Sequence, residues 1–335
     1  MNVGGVLYLF QLPTLQIGRF LARNPIIQGG MAVRISGARL AAAVAREGGI
    51  GIIAGTGRSP RELEREIETA RDMTGGHGIL GLNILFAVSN FAQLVKTGMK
   101  AGIDLVFSGA GFSRDIFGWG REFKVPVVPI VSSARLATLA EKLGAAAVVV
   151  EGCEAGGHLG TDRPMLDILR EVVQAVNLPV IGAGGILNGY DIYRALQLGA
   201  RGVQIGTRFA ASYESDAPNE LKKAYLAAKP EDSILIHSPV GLPGRAIRNS
   251  FTERLETDDI HPGECTGCLK KCGQQFCIRR ALENAQRGCL KDGLIFAGQR
   301  VAEISQILSV EEIFINLKRE FAEACARLGP LPALE

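Results

Sequence analysis

The sequence predicts an α/β fold: a (β/α)₈ TIM barrel with a C-terminal helical, Cys-rich cap. Three observations predict it. Eight short, β-branched apolar runs recur over the first 209 residues, most of them close on Gly or Ser, and stretches with helical start and stop signals separate them. Near-continuous apolar runs of this length suit strands buried on both faces of a parallel sheet. Eight strands alternating with helices favour a closed barrel, with a doubly wound open sheet as the alternative.

The runs are PIIQGG (25–30), GIGIIAG (49–55), GILGLNILF (78–86), DLVFSGAG (104–111), VPVVPIVSS (125–133), AAAVVVEG (145–152), LPVIGAGG (178–185) and GVQIGTRF (202–209). Between them, SPRELEREIETARDM opens with Ser59 as N-cap, Pro60 at the first helical position and Glu62 closing a capping box. SARLATLAEKLG repeats the scheme from Ser133 and stops at Gly144, and GYDIYRALQLG stops at Gly199. The pattern breaks after Phe209. SPVGLPGRAIRN (238–249) reads as loop, a Cys-rich segment follows, and helical patterns run from Phe276 to the end. The expected division is an N-terminal arm over residues 1–16, the barrel over 17–250 and the cap over 251–335.

Composition bounds the function. With 47% hydrophobic and 21% charged residues the chain can bury a large core and is not disordered. A net charge of +3 gives no case for nucleic acid or an anionic membrane as partner. No run reaches the roughly 18 apolar residues that span a bilayer. The opening MNVGGVLYLFQLP lacks the basic start and cleavage site of a signal peptide and reads as a packing arm. Seven cysteines, an odd number, argue against a secreted disulfide scaffold, so a cytoplasmic protein is expected.

In a barrel, ligands bind at the C-terminal strand ends. There the sequence places Gln28-Gly29-Gly30-Met31, Asn83, the EGCEAGGHLG segment from Glu151 to Gly160, Gly182-Ala183-Gly184-Gly185 and Gln204-Ile205-Gly206-Thr207. Glycines after strands seven and eight let backbone N–H groups approach phosphate oxygens, and a helix N-terminus adds its dipole. Gly156 and Gly157 would let the loop after strand six bend over a flat ligand and expose His158. An imidazole there can exchange a proton with carbon beside an electron-withdrawing group. Glu151 and Glu154 flank it and could orient the ring. The Gly49–Gly55 glycines have the wrong spacing for a dinucleotide fingerprint and read as strand packing. His77, His237 and His261 are isolated.

IIQGGMA, GLNILF, EGCEAGGHLG, VIGAGGI and GVQIGTRF together resemble, in order and spacing, the nitronate monooxygenase (2-nitropropane dioxygenase) family. Flavin-type enoyl-acyl-carrier-protein reductases share nearly the same set. Both resemblances imply an FMN-binding barrel acting on a small molecule. Gly29, Gly30 and Met31 would lie along the flavin and Asn83 would hydrogen-bond it. Gly184, Gly185, Gly206 and Thr207 would hold the phosphate, Gln204 and Glu151 would line the ribityl chain or ring edge, and His158 would be the catalytic histidine. The implied reaction is oxidation of nitronates or nitroalkanes with His158 as general base. The alternative is reduction of an activated C=C bond, with NAD(P)H as a transient reductant; a flavoprotein that senses redox state belongs to another class. A homodimer is also expected.

Cys265, Cys268, Cys272 and Cys277 follow a C-x₂-C-x₃-C-x₄-C spacing. Four thiolates so close in sequence suggest zinc or an iron–sulfur cluster, or else reduced thiols in a compact turn. The cluster departs from the resembled family and puts oxygen as electron acceptor in question. Cys289 and Cys325 fall on helical patterns as packing residues.

Overall fold

A computed structural model of the chain describes residues 10–257, 260 and 262–332. Most of the expected N-terminal arm, and His261, lie outside the described residues. The chain first forms a hairpin of β1 (Leu15–Ile17) and β2 (Phe20–Ala22). The barrel strands follow: β3 (Ile26–Gln28), β4 (Ile50–Ala54), β5 (Ile79–Leu85), β6 (Leu105–Gly109), β7 (Val127–Val131) and β8 (Val148–Glu151). After the two-residue β9 (Gly157–His158), β10 (Val180–Ala183) and β11 (Gly202–Ile205) complete it. All eight pair in parallel, and β11 returns to β3, so the sheet is closed, as the eight apolar runs predict.

Side chains alternate between two buried layers. Ile27, Ile50, Ile52, Leu105, Phe107, Val128, Val149 and Ile181 form an inner cluster. Ile26, Ile53, Leu80, Leu82, Val106, Val148, Val180 and Val203 pack outward with residues of the helices. Both faces are apolar, which is why the runs lack a period of two. Leu15 and Ile17 of the hairpin are fully buried in the inner cluster and plug the barrel opposite the strand C-termini. Each such burial contributes about 1.5–3 kcal/mol.

The helices are α1 (Ala38–Arg46), α2 (Pro60–Met73), α3 (Phe91–Lys100), α4 (Asp115–Phe123), α5 (Ala134–Leu143), α6 (Met165–Ala175) and α7 (Gly189–Gln197). Then come α8 (Thr207–Ala210), α9 (Asn219–Ala227), α10 (Ser250–Glu256), α11 (Ile278–Gln286) and α12 (Val310–Leu328). At α2 the amide of Ser59 donates to Glu62 Oε2 at 2.7 Å and the amide of Glu62 to Ser59 Oγ at 3.3 Å, the expected box. Ser133 caps α5 through the amide of Leu136 alone, because the residue at the third position carries no acceptor. Gly144 and Gly199 end their helices with φ of 94° and 96°, a region that glycine enters freely.

The helix after β11 is a single turn, and α12 closes the ring in its place against α7 and α1. Contact is close at Gly189, where a Cβ would stand 2.1 Å from the amide nitrogen of Phe321. The cap rises between them. Two differences from the sequence reading lie here. Pro243–Ile247, read as loop, is β13, and with β12 (Ser233–His237) it forms an antiparallel sheet with β9. Its glycines and prolines hid it; Pro243 stands at the first strand position, where a missing N–H is tolerated. The helical pattern from Phe276 also ends at Gln286, and residues 287–309 are irregular with two 3₁₀ turns before α12. No helix of the described residues is long and apolar enough to cross a membrane.

Candidate active site

Two adjoining cavities open at the C-terminal ends of the strands. The larger, about 650 Å³, runs from the ends of β3 and β5 past His158 to α11. The smaller, about 110 Å³, lies between the turns after β10 and β11. Gly30, Met31, Glu151, Gly156, Gly206 and Thr207 line both, so the two form one continuous site. The residues that the resemblance assigns to cofactor and catalysis all line it: besides those six, Asn83, Gly157 and His158 lie on the larger cavity, and Gly29, Gly184, Gly185 and Gln204 on the smaller.

Local backbone shapes the smaller cavity. Gly184 and Gly185 turn with φ of 104° and 70°, which other residues rarely adopt. Gly206 has no such need, and a Cβ built on it would meet nothing within 4 Å. Its missing side chain therefore faces open space rather than packing. The amides of Gly206 and Thr207 begin α8 and have no intrahelical acceptor. A one-turn helix adds little dipole, so these amides, not a long helix, are what an anion would meet. The set fits a phosphate: open glycine backbone, amides at a helix start without an intrahelical acceptor, and the Thr207 hydroxyl.

Gly30 packs under Asn83, where its Cβ would overlap the amide side chain, and Asn83 Nδ2 donates to Gly30 O at 3.4 Å. A flat ring between these two and His158 would meet a hydrogen-bonding amide at one edge.

His158 is set by the cap. It pairs with Gly244 of β13 across β9, and its ring lies edge-on to Phe296, 5.2 Å between centroids. Its Nε2 is 2.8 Å from Ser238 Oγ. No hydrogen bond is seen at Nδ1 among the described residues. Burial pushes the imidazole down to about 4, so it is neutral at pH 7. Burial pushes the Glu151 carboxyl up to about 8, so it too is uncharged there. A neutral Glu151 at the junction of the cavities spares an anionic ligand from repulsion. Glu154 does not orient the histidine: its carboxylate accepts from the amide of Met165 at 3.0 Å and fixes the start of α6.

Of the glycines before His158, Gly157 bends the loop with a φ of 86°, and Gly156 is also needed for packing. A Cβ at Gly156 would stand 2.5 Å from the carbonyl carbon of Ala297. Gly156 thus makes room for the cap chain as well as lining both cavities. Sequence reasoning missed Ser238, Phe296 and Arg300. Ser238 lay in a segment read as loop, and the other two lie far from any strand end in sequence.

Cys268 lies within electrostatic range of Cys272 and Cys277, but the four cysteines form no metal-holding set among the described residues. Cys265 and Cys272 are exposed, Cys268 and Cys277 half-buried, and among the described residues no three His, Cys, Asp or Glu side chains are arranged to hold a metal. Only Cys268 of the four lines the larger cavity. The segment is tied to the loop after β5: Val88 bridges Leu269, and the amide of Lys270 donates to Ala87 O at 2.9 Å. Cys289 is exposed beside a short 3₁₀ turn rather than packed on a helix, whereas Cys325 is buried in α12 as expected.

A family model described as nitronate monooxygenase matches residues 14–96 and 78–320. The chain belongs to the nitronate monooxygenase family. As a member it is an oxidoreductase of the FMN type. A (3aS,4S,5R,7aS)-5-hydroxy-7a-methyl-1-oxo-octahydro-1H-indene-4-carboxyl-CoA dehydrogenase of Mycobacterium tuberculosis is 28% identical over 310 residues, covering 92% of this chain and 85% of its own. A probable nitronate monooxygenase of Staphylococcus aureus is 29% identical over 276 residues, covering 69% and 77%. The structure of FabK from Thermotoga maritima superposes with a TM-score of 0.83 at 32% identity, covering 92% of this chain and 95% of that one.

Proposed function

We propose that this chain binds FMN across the two cavities and uses it to oxidise or reduce a carbon beside the carbonyl of a bulky acyl thioester. The observation that carries this reading is the larger cavity. From His158 it continues between apolar walls to Ile278, Leu282, Leu294 and Phe296, far beyond what a nitroalkane of a few carbons would cover. The flavin would take the end of this cavity at Gly30, Met31 and Asn83, which leaves the apolar end at Ile278, Leu282 and Leu294 for the substrate. The name of the mycobacterial dehydrogenase, which specifies a bicyclic acyl-CoA, supports the same size class.

Gly184, Gly185, Gly206 and Thr207 would hold the FMN phosphate, and Gly29, Gly30, Met31, Asn83, Glu151 and Gln204 would line the rest of the cofactor. FMN supplies the site with a two-electron donor and acceptor. His158 moves the proton: its neutral imidazole accepts one from the activated carbon on oxidation, or returns one on reduction. With Nε2–H donating to Ser238 Oγ, Nδ1 is the nitrogen with a lone pair for the transfer. The apolar walls exclude water and strengthen these polar contacts. A second reading, nitronate oxidation with the same base, is favoured by the name of the staphylococcal relative.

Anaerobic half-reactions separate the two. Protein reconstituted with FMN and photoreduced should be reoxidised by an α,β-unsaturated acyl-CoA and not by a saturated one. If acyl thioesters leave both oxidised and reduced protein unchanged while a nitronate reduces the oxidised form, the nitronate reading replaces the first.

A further inference from the structure

We propose that the cap segment 296–300 is a wall of the phosphate site, with Arg300 as its positioning residue, so that cofactor binding and seating of the cap are one equilibrium. The inference rests on the FMN reading above and goes beyond it, because this segment lies about 90 residues from the last barrel strand in sequence.

The segment is fastened to the turns of the smaller cavity from three sides. The amide of Gly298 donates to Thr207 Oγ at 2.9 Å, and the amide of Gln299 to Glu154 O at 2.9 Å. Gly156 admits the chain at Ala297 only because it lacks a side chain. Arg300 then reaches the turn after β10: Nη1 donates to Gly185 O at 2.6 Å and to Asp191 Oδ2 at 2.8 Å. Asp191 itself accepts from the amide of Leu187 at 2.9 Å and closes the capping box of α7. One guanidinium thus clamps both ends of the turn that would carry the phosphate.

Charge decides how it acts. Two bonds of 2.6 Å bind Arg300 to Glu303, and Asp191 takes the third side. Its positive charge is matched by these carboxylates, so it fixes the turn rather than drawing the phosphate. Thr207 adds a direct link. A hydroxyl has one hydrogen to give and two lone pairs to accept with. With Gly298 as donor to Oγ, the hydrogen is left to point into the cavity, where a phosphate oxygen would take it. Seating of the cap therefore orients a phosphate ligand, and by linkage a bound phosphate must strengthen the seating.

The test uses the full chain without cofactor, FMN fluorescence titration, and hydrogen exchange of peptides covering 296–304. In the wild type, FMN should slow exchange at the Gly298 and Gln299 amides. Arg300→Ala should speed it without FMN and raise the FMN Kd about tenfold or more, with Arg300→Lys intermediate, since one or two charge-assisted bonds stop holding the turn. Thr207→Val should free the Gly298 amide and Thr207→Ser should restore it, and this pair decides should Arg300→Ala not fold. If the wild type binds FMN but exchange over 296–304 is unmoved and Arg300→Ala binds equally well, the inference falls and the cofactor reading stands. If the wild type binds no FMN, both fall.

Discussion

Replacement of His158 by Ala should lower turnover about 10²–10⁴-fold, the usual contribution of a general acid or base, with FMN content unchanged. The residue touches the larger cavity but not the small one where the phosphate would sit, so chemistry and cofactor retention should separate. The pH profile carries a second signature. An imidazole depressed to about 4 stays in its neutral, proton-accepting form down to that pH. The acid limb of kcat for the oxidative direction should therefore lie near pH 4, well below the ordinary histidine value, and should vanish in His158→Ala. Steady-state rates across pH check both. An unchanged rate would leave His158 as a structural member of β9.

Gly206→Val should abolish FMN binding at micromolar concentrations, a loss of about 100-fold or more in affinity, with the fold intact. Gly206 has a φ of −101°, outside the left-handed region, and no atom lies within 4 Å of the added Cβ. The apoprotein should tolerate the change, and only a ligand seated there would meet it. Gly156→Ala is the opposite case, because its Cβ meets the backbone of Ala297. Thermal unfolding of the apoproteins and FMN titration together check this: Gly206→Val should match the wild type in Tm and fail to bind, whereas Gly156→Ala should lose Tm.

Much of the barrel was legible in the sequence because its signals are local. Each apolar run is one strand, and Ser59, Glu62, Gly144 and Gly199 mark helix ends by side-chain and backbone chemistry that needs no tertiary context. The strand-end residues were legible for the same reason: topology alone sends them to one mouth. What escaped depends on contacts distant in sequence. β13 is held by pairing with β9 and β12, not by its own propensity, and so reads as a loop. Ser238 reaches His158 across 80 residues and Arg300 reaches Gly185 across 115. For the four clustered cysteines spacing alone does not fix a geometry: among the described residues they form no metal-holding set, and only Cys268 lines the larger cavity. The division at residue 250 likewise followed composition, while α12 beyond it packs on the barrel helices.

The most direct test of the account is the identity of the flavin. Denatured protein, purified with or reconstituted by a flavin mixture, should release FMN at close to one equivalent per chain on mass analysis, because the small cavity has glycine turns for one terminal phosphate. Release of FAD alone, or of no flavin after reconstitution, would contradict it.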